Sequence, residues 1–324
     1  MGVKIGAPRR TTMALAAAGA LASTGTAYVG ARNLLIGQAE RARRVIPKLW
    51  DIPPRADGVY TPGGGPVQRW ERGMPVDLHL MIFGDSTATG YGCRDADDVP
   101  GVLLARGLAE RTGKRIRLST KAIVGATSKG LSGQVDAMFV AGPPPDAAVI
   151  MIGANDITAL NGVGPSARRL GAAVRRLCAS GAAVVVGTCP DFGVITAIPQ
   201  PLRWVAHARG LRLARAQAVA VRAAGGVPVP LADLLASNFL QAPALLFSDD
   251  QYHPSAAGYA LVADQLLPAL CEALGESSDN LVPALVSADE AVGAGTRRSR
   301  AIVSRLLRRH TTGVPAPVVM SRGR

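Results

Sequence analysis

From residue 77 onward the chain alternates short, nearly unbroken apolar runs with longer stretches of helical period, and this alternation restricts the fold more than any other feature. Strand candidates lie at 78–83, 116–122, 147–152, 183–188 and, briefly, 227–229. Helical stretches lie between or after them at 101–111, 131–140, 166–179, 202–224 and 255–274. Strands without polar alternation must be buried on both faces, so the pattern predicts a parallel sheet with helices on either side. A three-layer α/β/α sandwich with five strands follows, spanning 77–275. With 324 residues, 48% of them hydrophobic and 18% charged, there is material for one sizeable core. No repeat is visible along the chain.

The four cysteines, Cys93, Cys178, Cys189 and Cys271, are too few to be a disulfide framework in a chain of this length. Free thiols are the first expectation, and export of the protein would admit one or two disulfides. No Cys-x-x-Cys pair or histidine-rich cluster points to zinc, and the chemistry read below requires neither metal nor cofactor.

The net charge of +13 resembles a nucleic-acid footprint until it is divided along the chain. Residues 1–50 hold eight Lys and Arg against one Glu, net +7, and 276–324 hold eight Arg against four acids, net +4. The middle, 51–275, has 20 basic and 18 acidic residues, net +2. A body so nearly balanced has no phosphate-tracking surface, which speaks against nucleic acid as a partner and makes a membrane surface the expected partner of the ends.

Lys4, Arg9 and Arg10 precede an uncharged, Ala- and Gly-rich run at 11–31, and Ala20-Leu21-Ala22 resembles a small-residue cleavage site. Residues 1–50 are therefore expected to be an export signal or a membrane anchor with a basic arm, and the protein to be exported or anchored in a bacterial cell envelope. A soluble protein with an amphipathic arm is the alternative. The downstream Arg32, Arg41, Arg43, Arg44 and Lys48 leave orientation open under the positive-inside rule. Residues 51–76, rich in Pro and Gly, are expected to be a linker. The tail at 276–324 is expected to be disordered and basic, with one helix at 297–310 carrying six arginines that suits an anionic surface.

Four segments carry the chemistry. Gly84-Asp85-Ser86 follows directly on the first strand, at the carboxyl edge where parallel sheets bind ligands. Asp250-Gln251-Tyr252-His253 precedes the last helix, and its spacing lets the Asp250 carboxylate reach one imidazole nitrogen while the other takes a proton from Ser86. The other histidines fit less well: His79 lies in the first strand, His207 on a helix and His310 in the tail. Val124-Gly125-Ala126-Thr127 and Gly153-Ala154-Asn155-Asp156 end at the same edge. The Asn155 amide and the backbone N–H groups of Gly125 and Ser86 supply three donors for an oxyanion.

In this order the four segments resemble the SGNH (GDSL-like) hydrolase family over about 77–275. Thr87 stands where the GDSL signature has leucine, which leaves the reacting atoms intact. The resemblance implies a flavodoxin-like sheet, Ser86 as nucleophile, His253 as general base, Asp250 as its orienter, and an oxyanion hole of Ser86, Gly125 and Asn155. It also implies a serine esterase acting on small-molecule or lipid esters through an acyl-enzyme. An acyltransferase using the same triad, or a weakly active membrane-tethered binding protein, is the alternative. No Gly-x-Ser-x-Gly elbow is present, which argues against the other large serine-esterase fold.

Gly162-Val163-Gly164-Pro165 looks like a dinucleotide loop, but it follows no strand directly and places Pro165 where a backbone N–H is needed. Two apolar, irregular segments, 192–204 and 239–247, are expected to line an acyl site and to favour an apolar acyl group. The natural ester and the oligomeric state are left open.

Overall fold

The computed structural model describes residues 27–42, 44 and 52–276. Helix α1 runs over 27–42. It is followed by β1 (Gly58–Tyr60), β2 (Leu78–Gly84), the single turn α2 (Ser86–Thr89), α3 (Pro100–Thr112), β3 (Ile116–Thr120), α4 (Leu131–Ala141), β4 (Ala147–Met151) and the short α5 (Ala154–Thr158). The chain continues through α6 (Val163–Ala179), β5 (Ala183–Gly187), α7 (Leu202–Arg222), β6 (Val227–Val229), α8 (Leu231–Gln241), α9 (Pro243–Leu246) and α10 (Ala256–Ala273). The strands form one sheet in the order β1-β3-β2-β4-β5-β6. All neighbours are parallel except β1, which runs antiparallel to β3.

β2, β4 and β5 are buried on both faces, as strands without polar alternation must be, whereas β3 and the short β6 are only partly buried. Leu80, Ile82, Val149, Met151 and Val185 point into one layer, against Leu104 and Leu108 of α3 and Leu266 and Leu270 of α10. Their neighbours Met81, Phe83, Ala148, Ile150, Val184 and Val186 point into the other, against Leu131 and Val135 of α4 and Leu170 and Val174 of α6. The period-two alternation of the backbone thus divides each apolar run between two cores.

Two expectations are corrected. The sheet has six strands rather than five, and residues 51–76 are not simply a linker. Gly58, Val59 and Tyr60 pair with Leu118, Arg117 and Ile116, and Val59 also exchanges backbone hydrogen bonds with Gln68, at 2.8 and 3.1 Å. Tyr60 is buried, with its hydroxyl on the Ala56 carbonyl, and the Arg117 guanidinium lies 3.5 Å from the Trp70 ring centroid. Three residues are too few for a periodic signal, so Pro and Gly dominated the reading of the segment.

α1 is tied to the body through Gln38, whose amide accepts from the Leu202 N–H at 2.9 Å and donates to the Gln200 carbonyl. Among the described residues no helix is long and apolar enough to cross a membrane. Most of the expected leader, the cleavage-like site and the 297–310 helix lie outside the described residues.

Candidate active site

β2 delivers the chain to the carboxyl edge of the sheet, where Gly84 turns it with φ of 133°. A Cβ there would lie 1.9 Å from the Met151 carbonyl oxygen, so the turn requires glycine. The Gln134 side chain from α4 grips both backbone groups of Gly84, at 2.8 Å each. Asp85 follows as the N-cap of α2, accepting from the Thr87 N–H at 3.0 Å and from the Gly153 N–H at 3.4 Å. Burial pushes the Asp85 carboxyl up to about 6, with the two backbone donors and the charge of His253 partly opposing. Ser86 is the first residue of α2 and its side chain is largely enclosed.

The 248–254 loop brings the imidazole to that serine. His253 Nε2 lies 2.9 Å from Ser86 Oγ, and its Nδ1 lies 2.6 Å from Asp250 Oδ2. The other carboxylate oxygen of Asp250 accepts from Ser248 Oγ at 2.8 Å and from the N–H groups of Tyr252 and His253 at 2.9 Å each. Burial would raise the Asp250 pKa, but the hydrogen bond and charge of His253 and the two backbone donors outweigh it and hold the carboxyl near about 2. The imidazole is flanked by the rings of Tyr91, centroids 4.6 Å apart, and Tyr252, 5.0 Å apart.

The two oxyanion-side loops are fastened to this turn and to each other. The Ile123 N–H donates to the Gly84 carbonyl at 3.1 Å, which carries Gly125, φ 80°, alongside the serine turn. Asn155 sits in α5, and its Nδ2 donates to the Ala126 carbonyl at 3.0 Å. Asp156, buried next to it, accepts four hydrogen bonds: from Ser128 N–H and Ser128 Oγ at 2.8 Å each, Ser166 Oγ at 2.8 Å and Asn161 Nδ2 at 2.9 Å. His253 is therefore in direct hydrogen-bond contact with both Ser86 and Asp250, and the Gly125 loop is bonded to the serine turn and to Asn155 at the start of α5.

A cavity of about 80 Å³ opens beside His253 and Thr87, walled by Ile152, Phe192, Leu235 and Phe239. The segments expected to line an acyl site do contribute, though 239–247 is not irregular: it comprises the end of α8 and α9, while 192–194 forms a 3-10 turn. Phe192, Val194 and Phe239 are buried, so these residues are core as well as wall.

His79 is buried on β2 with Nε2 2.9 Å from Ser119 Oγ, and His207 on α7 has Nδ1 2.5 Å from Asp191 Oδ1. Gly162 caps α6, so the dinucleotide-like stretch is the first turn of that helix. All four cysteines are free thiols. Among the described residues no three His, Cys, Asp or Glu side chains are grouped to hold a metal ion. The supporting roles of Asp85, Gln134 and Asp156 escaped the sequence reading. Asp85 and Asp156 sat inside the quoted motifs, whereas nothing marked Gln134.

A layered, mostly parallel sheet with a Gly-Asp-Ser turn at its carboxyl edge defines an SGNH-type ester hydrolase. The GDSL-like Lipase/Acylhydrolase family profile matches residues 82–261. Over 272 residues, 84% of this chain and 87% of the relative, the sequence is 76% identical to the GDSL-like esterase Rv1075c of Mycobacterium tuberculosis (strain ATCC 25618 / H37Rv). The chain belongs to the GDSL-like lipase/acylhydrolase family and is an esterase. Solved structures similar to it include the psychrotrophic esterase EstA from Pseudoalteromonas sp., with 20% identity, coverage of 61% of this chain and 100% of that one, and a TM-score of 0.48. The lipase/acylhydrolase from Enterococcus faecalis is similar too, with 21% identity, 65% and 100% coverage and a TM-score of 0.48.

Proposed function

We propose that the protein hydrolyses carboxylic esters, of lipid or acylated-sugar type, through a Ser86-His253-Asp250 triad and a covalent acyl-enzyme. Ser86 Oγ attacks the ester carbonyl carbon as its proton passes to His253 Nε2. The carbonyl oxygen becomes an oxyanion, received by the backbone N–H groups of Ser86 and Gly125 and by the Asn155 amide. An Asn amide has two N–H donors, so Asn155 can keep its bond to Ala126 with one and offer the other. The C–O bond then breaks, His253 returns the proton to the departing alkoxide, and the acyl group remains on Ser86. Water, deprotonated by His253, repeats the attack and releases the acid. Asp250 accepts the Nδ1–H throughout, fixing the tautomer and stabilising the imidazolium.

The observation that carries this reading is the unbroken chain from Ser86 Oγ to His253 to Asp250, at 2.9 and 2.6 Å, at the carboxyl edge of the sheet. The apolar cavity next to His253 supports an apolar acyl group. The test is covalent labelling by a fluorophosphonate beside turnover of nitrophenyl esters. Ser86→Ala should lose both while keeping its melting temperature, and retained labelling would remove Ser86 from the role.

We also propose that the ends hold the enzyme at an anionic membrane surface. The basic excess at both ends of the sequence supports this, as do Tyr28, Val29, Leu34 and Ile36 exposed on α1. Salt-sensitive sedimentation with anionic vesicles tests it, and identical binding to neutral vesicles would overturn the electrostatic part.

A further inference from the structure

A second cavity, of about 300 Å³, is bordered by Ala88, Thr89 and Tyr91, in and just after the serine turn, and by Val124, the residue before Gly125, whereas the first is bordered by Asp85 and Thr87 of the same turn. Its outer wall is the segment that leads into β1, with Pro53, Pro54 and Arg55 among its lining. That wall lies outside the family-matched residues 82–261 and is fixed in place. The Asp57 carboxylate accepts from the Thr120 N–H at 3.1 Å and from its hydroxyl at 2.8 Å, and the Ala56 carbonyl accepts the Tyr60 hydroxyl.

We propose that this second cavity binds the alcohol portion of the ester, and that it takes an apolar, ring-sized alcohol. The proposal rests on the triad reading above and extends it to substrate class. An ester has two arms diverging from one carbonyl carbon, and the second cavity abuts the Ser86 turn at Ala88 and Thr89, the Gly125 loop at Val124, and Tyr91, whose ring lies 4.6 Å from that of His253. The first cavity opens beside His253 and runs back against the buried Phe192, Leu235 and Phe239, which suits an apolar acyl arm. The second has a mouth at Ile52 and Val124, which are 85% and 45% exposed, so a released alcohol has a path out. Proline, alanine and valine surfaces favour an apolar alcohol, and two threonine hydroxyls and the Arg55 guanidinium give polar points at the edge. The larger volume lies on the alcohol side, so selectivity should follow alcohol size more than acyl length.

The experiment fills the cavity from two independent sides with Val124→Trp and Pro54→Trp. The readout is the ratio of kcat/KM for 2-naphthyl acetate to that for ethyl acetate, beside an acyl-length series of methyl esters. The ratio should fall at least tenfold in both variants, with the relative acyl-length preference kept. An unchanged ratio in a folded variant, or a shift in acyl-length preference instead, overturns the assignment. Binding of 2-naphthol to the Ser86→Ala protein reads the cavity without turnover and should weaken tenfold when either Trp is added. A Ser86→Ala protein that still labels with fluorophosphonate would sink the triad, whereas naphthol binding insensitive to both Trp substitutions sinks only the alcohol site.

Discussion

Asp156 and Ser128 are joined twice: the carboxylate accepts the Ser128 N–H on one oxygen and the Ser128 hydroxyl on the other, each at 2.8 Å. This couples the residue after Asn155 to the loop that carries Gly125, so two of the three proposed oxyanion donors share one clamp. Asp156→Asn keeps the shape but puts an NH2 where a donor must be accepted. Its kcat should drop about tenfold to a hundredfold, the scale of a slight misplacement of reacting groups, with KM changed much less. Asp156→Ala should in addition lower stability by several kcal/mol, since buried donors are left unpaired. A loss of stability in both variants with normal kcat would reduce the clamp to a purely structural tie.

Removal of the donor itself should be more severe. Asn155→Ala is expected to reduce kcat roughly 100-fold to 1,000-fold, a lost oxyanion donor costing about 2.7 to 4 kcal/mol. Steady-state kinetics on a soluble ester decide this, and a defect confined to KM would make Asn155 a ground-state binder.

For the relay, His253→Ala should cost on the order of 10⁶-fold in kcat and Asp250→Asn on the order of 10⁴-fold, because providing the base is the greater demand. The Asp250 carboxyl is held near about 2, so it stays ionised above about pH 4 and stabilises the fold there, a contribution lost as pH falls through 2. Unfolding midpoints measured from pH 5 down to pH 2 should fall in the unaltered protein and vary less in Asp250→Asn, and an equal fall in both would remove the Asp250 carboxylate as its source.

His79 gives the fold an acid sensitivity separate from catalysis. Burial, with the Arg117 charge adding to it, lowers its pKa from 6.5 to about 4. The unfolded chain then binds a proton that the folded one refuses, so stability present above pH 6.5 falls on acidification and levels off below 4. By pH 5 the loss should be roughly 2 kcal/mol. Urea midpoints at pH 7.5 and pH 5 measure it, and His79→Gln should flatten the difference.

Ser86, Asp250 and His253 were legible because each motif is local: a strand ending in Gly-Asp-Ser and an Asp-x-x-His at a helix mouth need no distant information. Strands β2, β4 and β5 were legible because burial on both faces leaves a nearly unbroken apolar run, whereas β3 (Ile116–Thr120) alternates, with Ile116 and Leu118 buried and Arg117 and Ser119 half-buried. The Asp156 clamp was not, since its donors come from Ser128, Asn161 and Ser166, side chains common on any surface that meet only after folding. Gln134 was hidden the same way, a polar residue of α4 whose partner is a backbone 50 residues earlier. Helix α8 was missed because its last residues fell in 239–247, read as a pocket lining, and the eight residues 231–238 before them were assigned no element.

The pairing of β1 with β3 also governs how copies of this protein meet one another. Without Gly58–Tyr60 the sheet would end on β3, offering a row of unsatisfied amides and carbonyls that recruits extended chain from any neighbour. The opposite rim is β6, only three residues long and with Pro228 at its centre, which lacks an N–H to offer. Both borders of the sheet are thus blunted against strand addition, one by a borrowed strand and one by a proline. A protease cut just before residue 77 would strip the first guard and leave a species prone to clumping, whereas a cut after 276 would leave both guards in place.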